Sequence, residues 1–508
     1  MSTEAIIGID ALIAGWELFG TPLAITMTVF GCFLGLIIGV LPGLGPLMGI
    51  ILLLPAVYHL PPVAAMGALI AIFVGGSCGG AVSAIVLRIP GTPIAAATLL
   101  DGYPMAQNGR AGEAIGLAIS ASAVGGVIGG IILIALAPVL ADFALRFGPP
   151  EYFALTLLGL IAIAVVGREA PLKGFITGVL GLLIATVGTD AISNAQRFTF
   201  GYFELSSGFH IVAIVVGLFA VSEVLFQVRG GKLLDAPNVP KVRISMYSLV
   251  LLFKHPVNLV RSSMIGTFFG SLPGAGGVIS SFSSYAVAKA QARLDERYGE
   301  GAEGGVIATE AANNASAGGT LIPTMALGVP GDASAAVLMS ALILFGYFPG
   351  PELFEQNLDV AGGMFLAYIL ANVALAGLGF LMTPVFLSVL RLRRVHLLPL
   401  VVMLSVMGTF ALQSSIFDLW SMLGFGALGY FLRLHGYPLA PIVIGVVLGP
   451  ICESNFRRSL LISRDGLSIF WEREIAFTIL SITAMLVIWG LFGKGVSHWL
   501  KQQFRRIS

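Results

Sequence analysis

Apolar residues fill this sequence in long blocks, and polar residues are concentrated in the short segments between them. A membrane-spanning helix needs about 20 consecutive apolar residues. Blocks such as 20–41, 112–140 and 207–226 reach that length, whereas 261–272 and 276–290 are too short to span alone. The pattern therefore predicts an all-α polytopic membrane protein in which some helices are broken or enter the bilayer without crossing it.

The two short blocks 261–272 and 276–290 are predicted to form a re-entrant hairpin. Basic residues flank the pair at both ends, namely Arg261, Lys289, Arg293 and Arg297. Because basic residues favour the cytoplasmic side, both ends of the pair are expected there. An arm of about 12 residues rises roughly 18 Å as an α-helix, about half of the bilayer. The turn between the arms is therefore expected near the bilayer midplane.

Two motifs occur twice, in the same order. The segment 39–45 (GVLPGLG) returns 231 residues later as 270–276 (GSLPGAG), and 89–96 (IPGTPIAA) matches 329–336 (VPGDASAA) at an offset of 240. This indicates an internally duplicated chain. Proline and glycine inside apolar segments break helices, and broken helices at corresponding places in two halves mark the binding site of many secondary transporters.

A basic segment separates the predicted halves. Between 227 and 261 six basic residues face one acid, Asp235, so this stretch is predicted to be a cytoplasmic linker. The first transmembrane repeat is then 1–226 and the second is 262–508. The order of the blocks leaves the relative orientation of the repeats open, and inverted repeats are the commoner arrangement for transporters with midplane sites. The basic clusters 391–394, 457–458 and 494–506 are also predicted to lie on the cytoplasmic face.

The composition agrees with a membrane protein and limits the classes of possible binding partner. The chain has 508 residues, of which 57% are hydrophobic and 10% charged, and its mean hydropathy is +0.96. Soluble domains carry roughly a quarter charged residues, so a soluble protein is excluded. The net charge of +1 implies no polyanionic partner such as a nucleic acid. Three isolated cysteines have neither disulfide nor metal-site spacing, and no bound metal or organic cofactor is expected.

A polar stripe interrupts the apolar background of the second half. Glu310, Asn313 and Asn314 stand at i, i+3 and i+4, so they share one face of a helix, and Ser316 and Thr320 follow them. Carboxylate and amide groups in this arrangement can bind a cation or a carboxylate substrate. The alternative is hydrogen bonding between helices. Ionisable groups inside a membrane are costly and usually functional, which favours a site.

The second Pro-Gly motif offers the start of a helix. After 330–331 come Asp332 and Ser334, and after 90–91 comes Thr92, all residue types that cap helices. A helix N-terminus presents free N–H groups and a positive dipole end, which suit a carboxylate. Asp332 has two interpretations, because it can cap its own helix or ligate a cation. The glycines of the first motif can likewise present backbone groups to a ligand or allow close helix packing.

These patterns define two candidate sets. The predicted substrate-binding residues are Gly43, Gly45, Thr92, Gly274, Gly276, Asn313, Asn314, Ser316 and Ser334. The predicted ion-binding residues are Glu310, Asn314 and Asp332.

Five blocks together carry a family resemblance that extends over essentially the whole chain. They are 42–45 (PGLG), 89–92 (IPGT), 101–106 (DGYPMA), 318–324 (GGTLIPT) and 328–331 (GVPG). In these blocks the chain resembles the large membrane subunit of tripartite tricarboxylate transporters, the TctA type. The resemblance implies a multi-pass permease subunit of the bacterial inner membrane that takes up carboxylates and is driven by an ion gradient. It implies two partners, a small membrane subunit and a periplasmic solute-binding protein, and it leaves the acid unidentified.

Sodium is the expected coupling ion, because the candidate ligands are rich in neutral oxygens and no histidine lies in either motif. A carboxylate-selective channel is an open alternative. An intramembrane protease is disfavoured: the segment 329–332 (VPGD) approaches the Gly-x-Gly-Asp pattern of membrane aspartyl proteases, but Val329 replaces its first glycine and no Tyr-Asp partner occurs in an apolar block. The chain is therefore not expected to be an enzyme.

Overall fold

The structure is a computed structural model. It describes residues 3–41, 44–165, 171–190, 192–229, 244, 247–273, 276–292, 296–390, 394–463 and 466–488. The α-helices in these ranges are α1 (Thr3–Phe19), α2 (Pro22–Val40), α3 (Gly45–Val57), α4 (Pro62–Leu87), α5 (Leu99–Met105), α6 (Ala111–Ala144), α7 (Pro149–Val165), α8 (Pro171–Ala185), α9 (Ile211–Val215), α10 (Ser222–Arg229), α11 (Tyr247–Leu252), α12 (Pro256–Ser271), α13 (Gly276–Ala290), α14 (Glu303–Leu327), α15 (Ala333–Leu344), α16 (Pro351–Gln356), α17 (Leu358–Val389), α18 (Arg394–Gln413), α19 (Ile416–Leu434), α20 (Ala440–Ile462), α21 (Ile469–Glu472) and α22 (Glu474–Ile488).

Shorter elements connect or extend these helices. Two π-helical turns, Ala106–Arg110 and Val216–Val221, join α5 to α6 and α9 to α10. Single 3₁₀ turns lie at Ile94–Ala96, Phe203–Ser207 and Gly466–Ser468. In the loop before α9, strands β1 (Gly188–Thr189) and β2 (Gln196–Arg197) pair antiparallel. Apart from this small hairpin, the described residues have the predicted all-α architecture.

Five stretches among the described residues are long and apolar enough to cross a membrane. They are α2, α4, the continuous run Leu99–Ala144, the run Ile211–Arg229, and α17. Further apolar helices, including α3 and α15, have 10–17 residues and are too short to span by themselves. The mixture of long and short apolar helices agrees with the prediction of a polytopic membrane protein that contains incomplete spans.

The described residues on both sides of the first motif have the same conformation in its two copies. α2 is followed by Leu41 in extended conformation (φ −77°, ψ 116°), and α12 is followed by Leu272 with nearly the same angles (φ −87°, ψ 117°). The next helices begin at Gly45 and Gly276, with φ of +63° and +58°. Glycine adopts these left-handed angles without strain, which explains the residue type. Pro42, Gly43, Gly274 and Ala275 lie outside the described residues, and the re-entrant character of the hairpins stays a prediction.

The helices also break at both copies of the second motif. α4 ends in a left-handed residue, Arg88 (φ 57°, ψ 24°), and α14 ends in Gly328 (φ 67°, ψ 27°). The proline that follows within two residues in each copy cannot donate a backbone hydrogen bond, so neither helix continues. The predicted helix breaks are therefore present, and their local geometry is alike.

Glycines allow the helices of each hairpin to approach the following helix closely. A Cβ placed on Gly31 or Gly39 of α2 would lie 2.3 Å from a carbonyl oxygen of α4, and one placed on Gly266 or Gly270 of α12 would lie 2.4 Å from a carbonyl oxygen of α14. Small residues at helix crossings are the main device for packing helices in membranes. α2 and α12 are thereby fixed along α4 and α14.

We expect Gly39→Val to destabilise the protein by about 2 kcal/mol or more, because its methyl groups would push α2 away from Gly76 of α4. Gly424→Val in α19 is the matched control, since nothing lies within 4 Å of a Cβ at that position. The measurement is thermal unfolding of both variants purified in the same detergent. Equal melting temperatures would contradict the close packing of α2 on α4.

In each predicted half, the segment after the helix break packs on the helix pair at the first motif of the other half, which is α2–α3 or α12–α13. After the first break, the 3₁₀ turn Ile94–Ala96 packs on α13, where a Cβ on Gly277 would lie 2.4 Å from the Ile94 Cδ1 atom. After the second break, α15 packs against α3 and α4. The two breaks and the two hairpins are therefore brought into one region of the molecule.

An ion-pair network lies in the loop between α8 and α9. Arg457 of α20 places Nη1 2.7 Å from Asp190 Oδ2, and Arg197 places Nη1 2.8 Å from Glu453 Oε1 and also pairs with Asp190. Hydrogen bonds from the backbone N–H of Ile192 and from Arg457 hold the pKa of Asp190 well below its usual range. The network therefore stabilises the loop at every pH above the usual pKa of an Asp side chain. This stabilisation is lost as the pH falls through the lowered pKa of Asp190.

This network links the predicted sides of two basic clusters, Arg457–Arg458 and 227–261, which both stay predictions. The loop that holds Asp190 precedes the run Ile211–Arg229, and the basic segment 227–261 follows the same run. A helix of 19 residues rises about 28 Å, close to the hydrocarbon thickness, so its two ends would face opposite sides if it spans the bilayer. In that arrangement Arg457 and the basic segment lie on opposite sides. We expect the segment, which has six basic residues, in the cytoplasm and Arg457 on the outer face.

A labelling experiment checks this assignment. A cysteine at Phe203, which is 86% exposed in the α8–α9 loop, is expected to react with a membrane-impermeant maleimide added outside intact spheroplasts. A cysteine at exposed Lys254, between α11 and α12, is expected to react only after permeabilisation. Both variants carry no native cysteine. Labelling of the two positions from the same side would show that the loop and the basic segment share a face.

Candidate functional site

The predicted polar stripe lies on α14, which is the most enclosed polar helix of the described structure. Residues 304–326 of α14 are all buried, although the helix includes a glutamate and two asparagines. It is enclosed by α4, α6, α12 and α13. Buried polar groups require partners, so the hydrogen bonds of this helix show what the stripe can do.

Glu310 is fully buried, and the protein supplies three donors to its carboxylate. Thr98, on the segment after the first helix break, donates to Oε1. Ser122 of α6 donates to Oε2 at 3.0 Å, and Asn313 Nδ2 donates to the same oxygen at 3.2 Å. Three hydrogen bonds from three separate segments stabilise the ionised carboxylate against the cost of its burial. They also leave the carboxylate fewer free lone pairs for a bound cation.

The two asparagines bind the backbone of α4. Asn313 Nδ2 donates to the Ser77 carbonyl at 3.0 Å, and Asn314 Nδ2 donates to the Val74 carbonyl at 3.4 Å. Asn314 also contacts the amide of Asn372 in α17 at 3.5 Å. The stripe therefore joins α14 to α4 and α17, as the hydrogen-bonding alternative predicts.

The amide oxygens of these two asparagines take no part in the hydrogen bonds described above. Asn313 Oδ1 and Asn314 Oδ1 are both buried, and no described residue donates a hydrogen bond to either. A buried polar atom without a partner costs about 1–3 kcal/mol, so such atoms usually have a functional explanation. Amide oxygens are suitable ligands for a hard cation, because they bring a strong dipole without adding charge. The stripe thus combines a structural role with two oxygens that a ligand can use.

The stripe is present in one predicted half only. The positions 240 residues earlier, on α4, carry Ile70, Phe73 and Val74. α4 contributes backbone carbonyls in place of polar side chains, through Val74 and Ser77. The chemistry of the site is therefore asymmetric even though the Pro-Gly geometry is alike in the two halves.

Two polar residues of α17 support the stripe from the far side. The Tyr368 hydroxyl donates to the Asn314 carbonyl at 2.8 Å, and Asn372 Nδ2 donates to the Tyr368 carbonyl at 2.9 Å. Gly126 of α6 leaves room for Asn372, because a Cβ there would lie 1.7 Å from its Oδ1 atom. Neither residue was predicted from the sequence, in which a single polar residue on an apolar helix is the only sign of such a role.

The first turn and the first break lie beside each other. A Cβ on Gly45 would lie 3.6 Å from the Thr92 methyl group, and Thr92 Oγ1 accepts a hydrogen bond from the Ala95 N–H at 3.3 Å. Two residues further on, Ile94 contacts Gly277, and a Cβ on Gly277 would lie 3.0 Å from Ser316 Oγ. The structure therefore brings Gly45, Thr92, the start of α13 and Ser316 together.

Asp332 caps α15. Its Oδ1 atom accepts a hydrogen bond from the Ala335 N–H at 2.8 Å, which is the capping interpretation of this residue. Ser334 lies buried in the first turn of the same helix. Within the described part of the chain, no hydrogen bond joins Asp332 or Ser334 to the polar stripe. Cation binding by Asp332 stays a prediction, and Gly43 and Gly274 lie outside the described residues.

Comparison with known proteins identifies the family. A family model described as the tripartite tricarboxylate transporter TctA family matches residues 25–444. An Agrobacterium vitis protein named "Uncharacterized 52.8 kDa protein in TAR-I ttuC' 3'region" is 35% identical over 482 residues, which are 94% of this chain and 95% of the relative. A second A. vitis protein, "Uncharacterized protein in TAR-II ttuC' 3'region", is 33% identical over 226 residues, which are 44% of this chain and 93% of the relative. The chain therefore belongs to the tripartite tricarboxylate transporter TctA family.

Proposed function

We propose that this chain is the permease subunit of a secondary transporter that takes up organic acids with one or more carboxylates, coupled to an ion gradient. Family membership makes it a tricarboxylate transporter component and the large subunit of a tripartite system. The observation that carries the proposal is the pair of unpartnered amide oxygens, Asn313 Oδ1 and Asn314 Oδ1, on an enclosed helix of a membrane protein. A site for ligands is the explanation that accounts for both their burial and their lack of donors.

The carboxylate substrate is proposed to bind where the first turn, the first break and the start of α13 meet. Gly45, Thr92, Gly276 and Ser316 supply small side chains and backbone groups there, and a Cβ on Gly276 would have no described atom within 4 Å beyond its chain neighbours. Asp332 already occupies the N-terminus of α15, and its negative charge disfavours an anion at that end. This asymmetry supports placing the acid nearer to Thr92 than to Ser334.

The coupling cation is proposed to be sodium, bound by the amide oxygens of Asn313 and Asn314. When Glu310, one turn before Asn313, is ionised, its charge contributes attraction for a cation in a low-dielectric site. A cation and a carboxylate in neighbouring positions each bind more tightly when the other is present, and this coupling is reciprocal. The chemistry therefore favours symport over independent binding.

The remaining partners follow from the family. We propose that the chain works with a small membrane subunit and with a periplasmic solute-binding protein, as a multi-pass protein of the bacterial inner membrane. Five candidate spans among the described residues are consistent with a multi-pass membrane protein. The α8–α9 loop on the assigned outer face is available to a soluble partner.

Counterflow distinguishes this carrier from a channel. Proteoliposomes that contain this chain, the small subunit and the binding protein are loaded with one unlabelled acid from a panel of di- and tricarboxylates. A trace of the same acid, radiolabelled, is then added outside. A carrier is expected to accumulate the label transiently above its equilibrium level. Simple equilibration with every transported acid would establish a channel and reject the proposal.

A further inference from the structure

A second buried carboxylate, Asp101 of α5, contacts the start of the site helix. Its side chain is 1% exposed, and Oδ1 accepts hydrogen bonds from the N–H groups of Gly299 (2.7 Å), Gly301 (2.9 Å) and Ala302 (2.9 Å). Ala302 immediately precedes α14 and provides no side-chain cap of its own. Asp101, from the other predicted half, therefore supplies the hydrogen-bond acceptor that orders the entry to α14.

The loop before α14 is shaped around this carboxylate. Gly299 and Gly301 have φ of +96° and +105°, angles that other residues adopt only with strain. A Cβ on Gly305, in the first turn of α14, would lie 2.0 Å from Asp101 Oδ2. Glycine at these positions lets the backbone approach the carboxylate from several directions. A close fit of this kind fixes the position of α14 along its own axis.

The segment that carries Asp101 holds α14 at two more points. Thr98, three residues earlier, donates to Glu310 of the polar stripe. Arg110, in the turn that follows α5, places Nη2 2.5 Å from Glu303 at the start of α14. These contacts all join residues 98–110 of the first predicted half to α14 of the second.

We propose that Asp101 is a positioning residue for transport, whose carboxylate fixes α14 against the segment after the first break and so keeps Glu310, Asn313 and Asn314 in register with their partners. Asp101 touches neither the proposed cation nor the proposed acid. The inference rests on the proposed function, because it assigns Asp101 to the same site. Its test uses no substrate, so its failure is distinguishable from failure of the transport assignment.

The rate at which native cysteines are chemically modified reports whether the packing around α14 is kept. Cys78 of α4 is fully buried, beside the Ser77 carbonyl that accepts from Asn313 of the polar stripe. Cys452 is partly buried on α20, which packs on α7 and α8. In a Cys32→Ala background, Asp101→Ala, Asp101→Asn and the exposed control Asp142→Ala are treated with N-ethylmaleimide. Mass spectrometry then gives the rate of modification of each cysteine.

Asp101→Ala removes the acceptor of three N–H groups and is expected to speed Cys78 modification about tenfold or more, with less than about a twofold change at Cys452. Asp101→Asn keeps one acceptor oxygen and is expected to give an intermediate rate. Asp142→Ala is expected to match the parent. An unchanged Cys78 rate in Asp101→Ala would overturn the inference. An equal increase at both cysteines would also overturn it, because it would indicate general destabilisation.

Discussion

Asn313→Ala and Asn314→Ala are each expected to lower carboxylate uptake by about 10- to 100-fold while the protein remains in the membrane. Each substitution removes one amide oxygen of the proposed cation site and one hydrogen bond to α4. Loss of a single interaction of 1.5–3 kcal/mol accounts for an effect of about this size. Uptake is measured in cells that express each variant and the partner subunits at equal levels.

Asn108→Ala is the matched control for these variants, since Asn108 is an exposed asparagine in the turn between α5 and α6. It is expected to transport at the wild-type rate. Uptake at the wild-type rate in both site variants would remove the polar stripe from the transport site. The stripe would then be only a set of hydrogen bonds between helices.

Glu310→Ala and Glu310→Gln are expected to separate the charge of this residue from its structural role. Alanine leaves the donors of Thr98, Ser122 and Asn313 without their acceptor, and it should destabilise the protein by about 3 kcal/mol or more. Glutamine keeps the shape and one acceptor oxygen, and hydroxyl groups can turn to accept from its amide. We therefore expect Glu310→Gln to fold and to lose most sodium-coupled uptake.

The measurements for this pair are thermal unfolding in detergent and uptake at several sodium concentrations. Glu310→Gln with wild-type uptake and wild-type sodium dependence would show that the charge of Glu310 plays no part in coupling. A folded Glu310→Ala protein with an unchanged melting temperature would contradict the three hydrogen bonds to the carboxylate.

Features set by local backbone chemistry could be predicted from the sequence. Proline followed by glycine favours the end of a helix, and the breaks after Leu87 and Leu327 were found at the expected places. Glu310 and Asn313 were predicted to share a face because their spacing matches the helical repeat, and they are hydrogen-bonded. The start of α12 at Pro256 lies inside the segment predicted as linker, because that boundary was placed by charge alone.

Features that depend on distant contacts could not be predicted. Thr98 and Ser122 reach Glu310 across 212 and 188 residues, and a single sequence gives no sign of such pairing. The pairing of Arg457 with Asp190 could not be predicted for the same reason, because the two residues are 267 positions apart. Asp332 caps α15, as one of its two interpretations predicts, and cation binding by this residue stays a prediction.

The most direct test of coupled carboxylate uptake is reconstitution under imposed ion gradients. Proteoliposomes with this chain and the small subunit receive an inward sodium gradient or an inward proton gradient, each with and without the binding protein, and uptake of labelled di- and tricarboxylates is followed. The account predicts accumulation of at least one acid driven by sodium and dependent on the binding protein. Uptake that is indifferent to both gradients would contradict it.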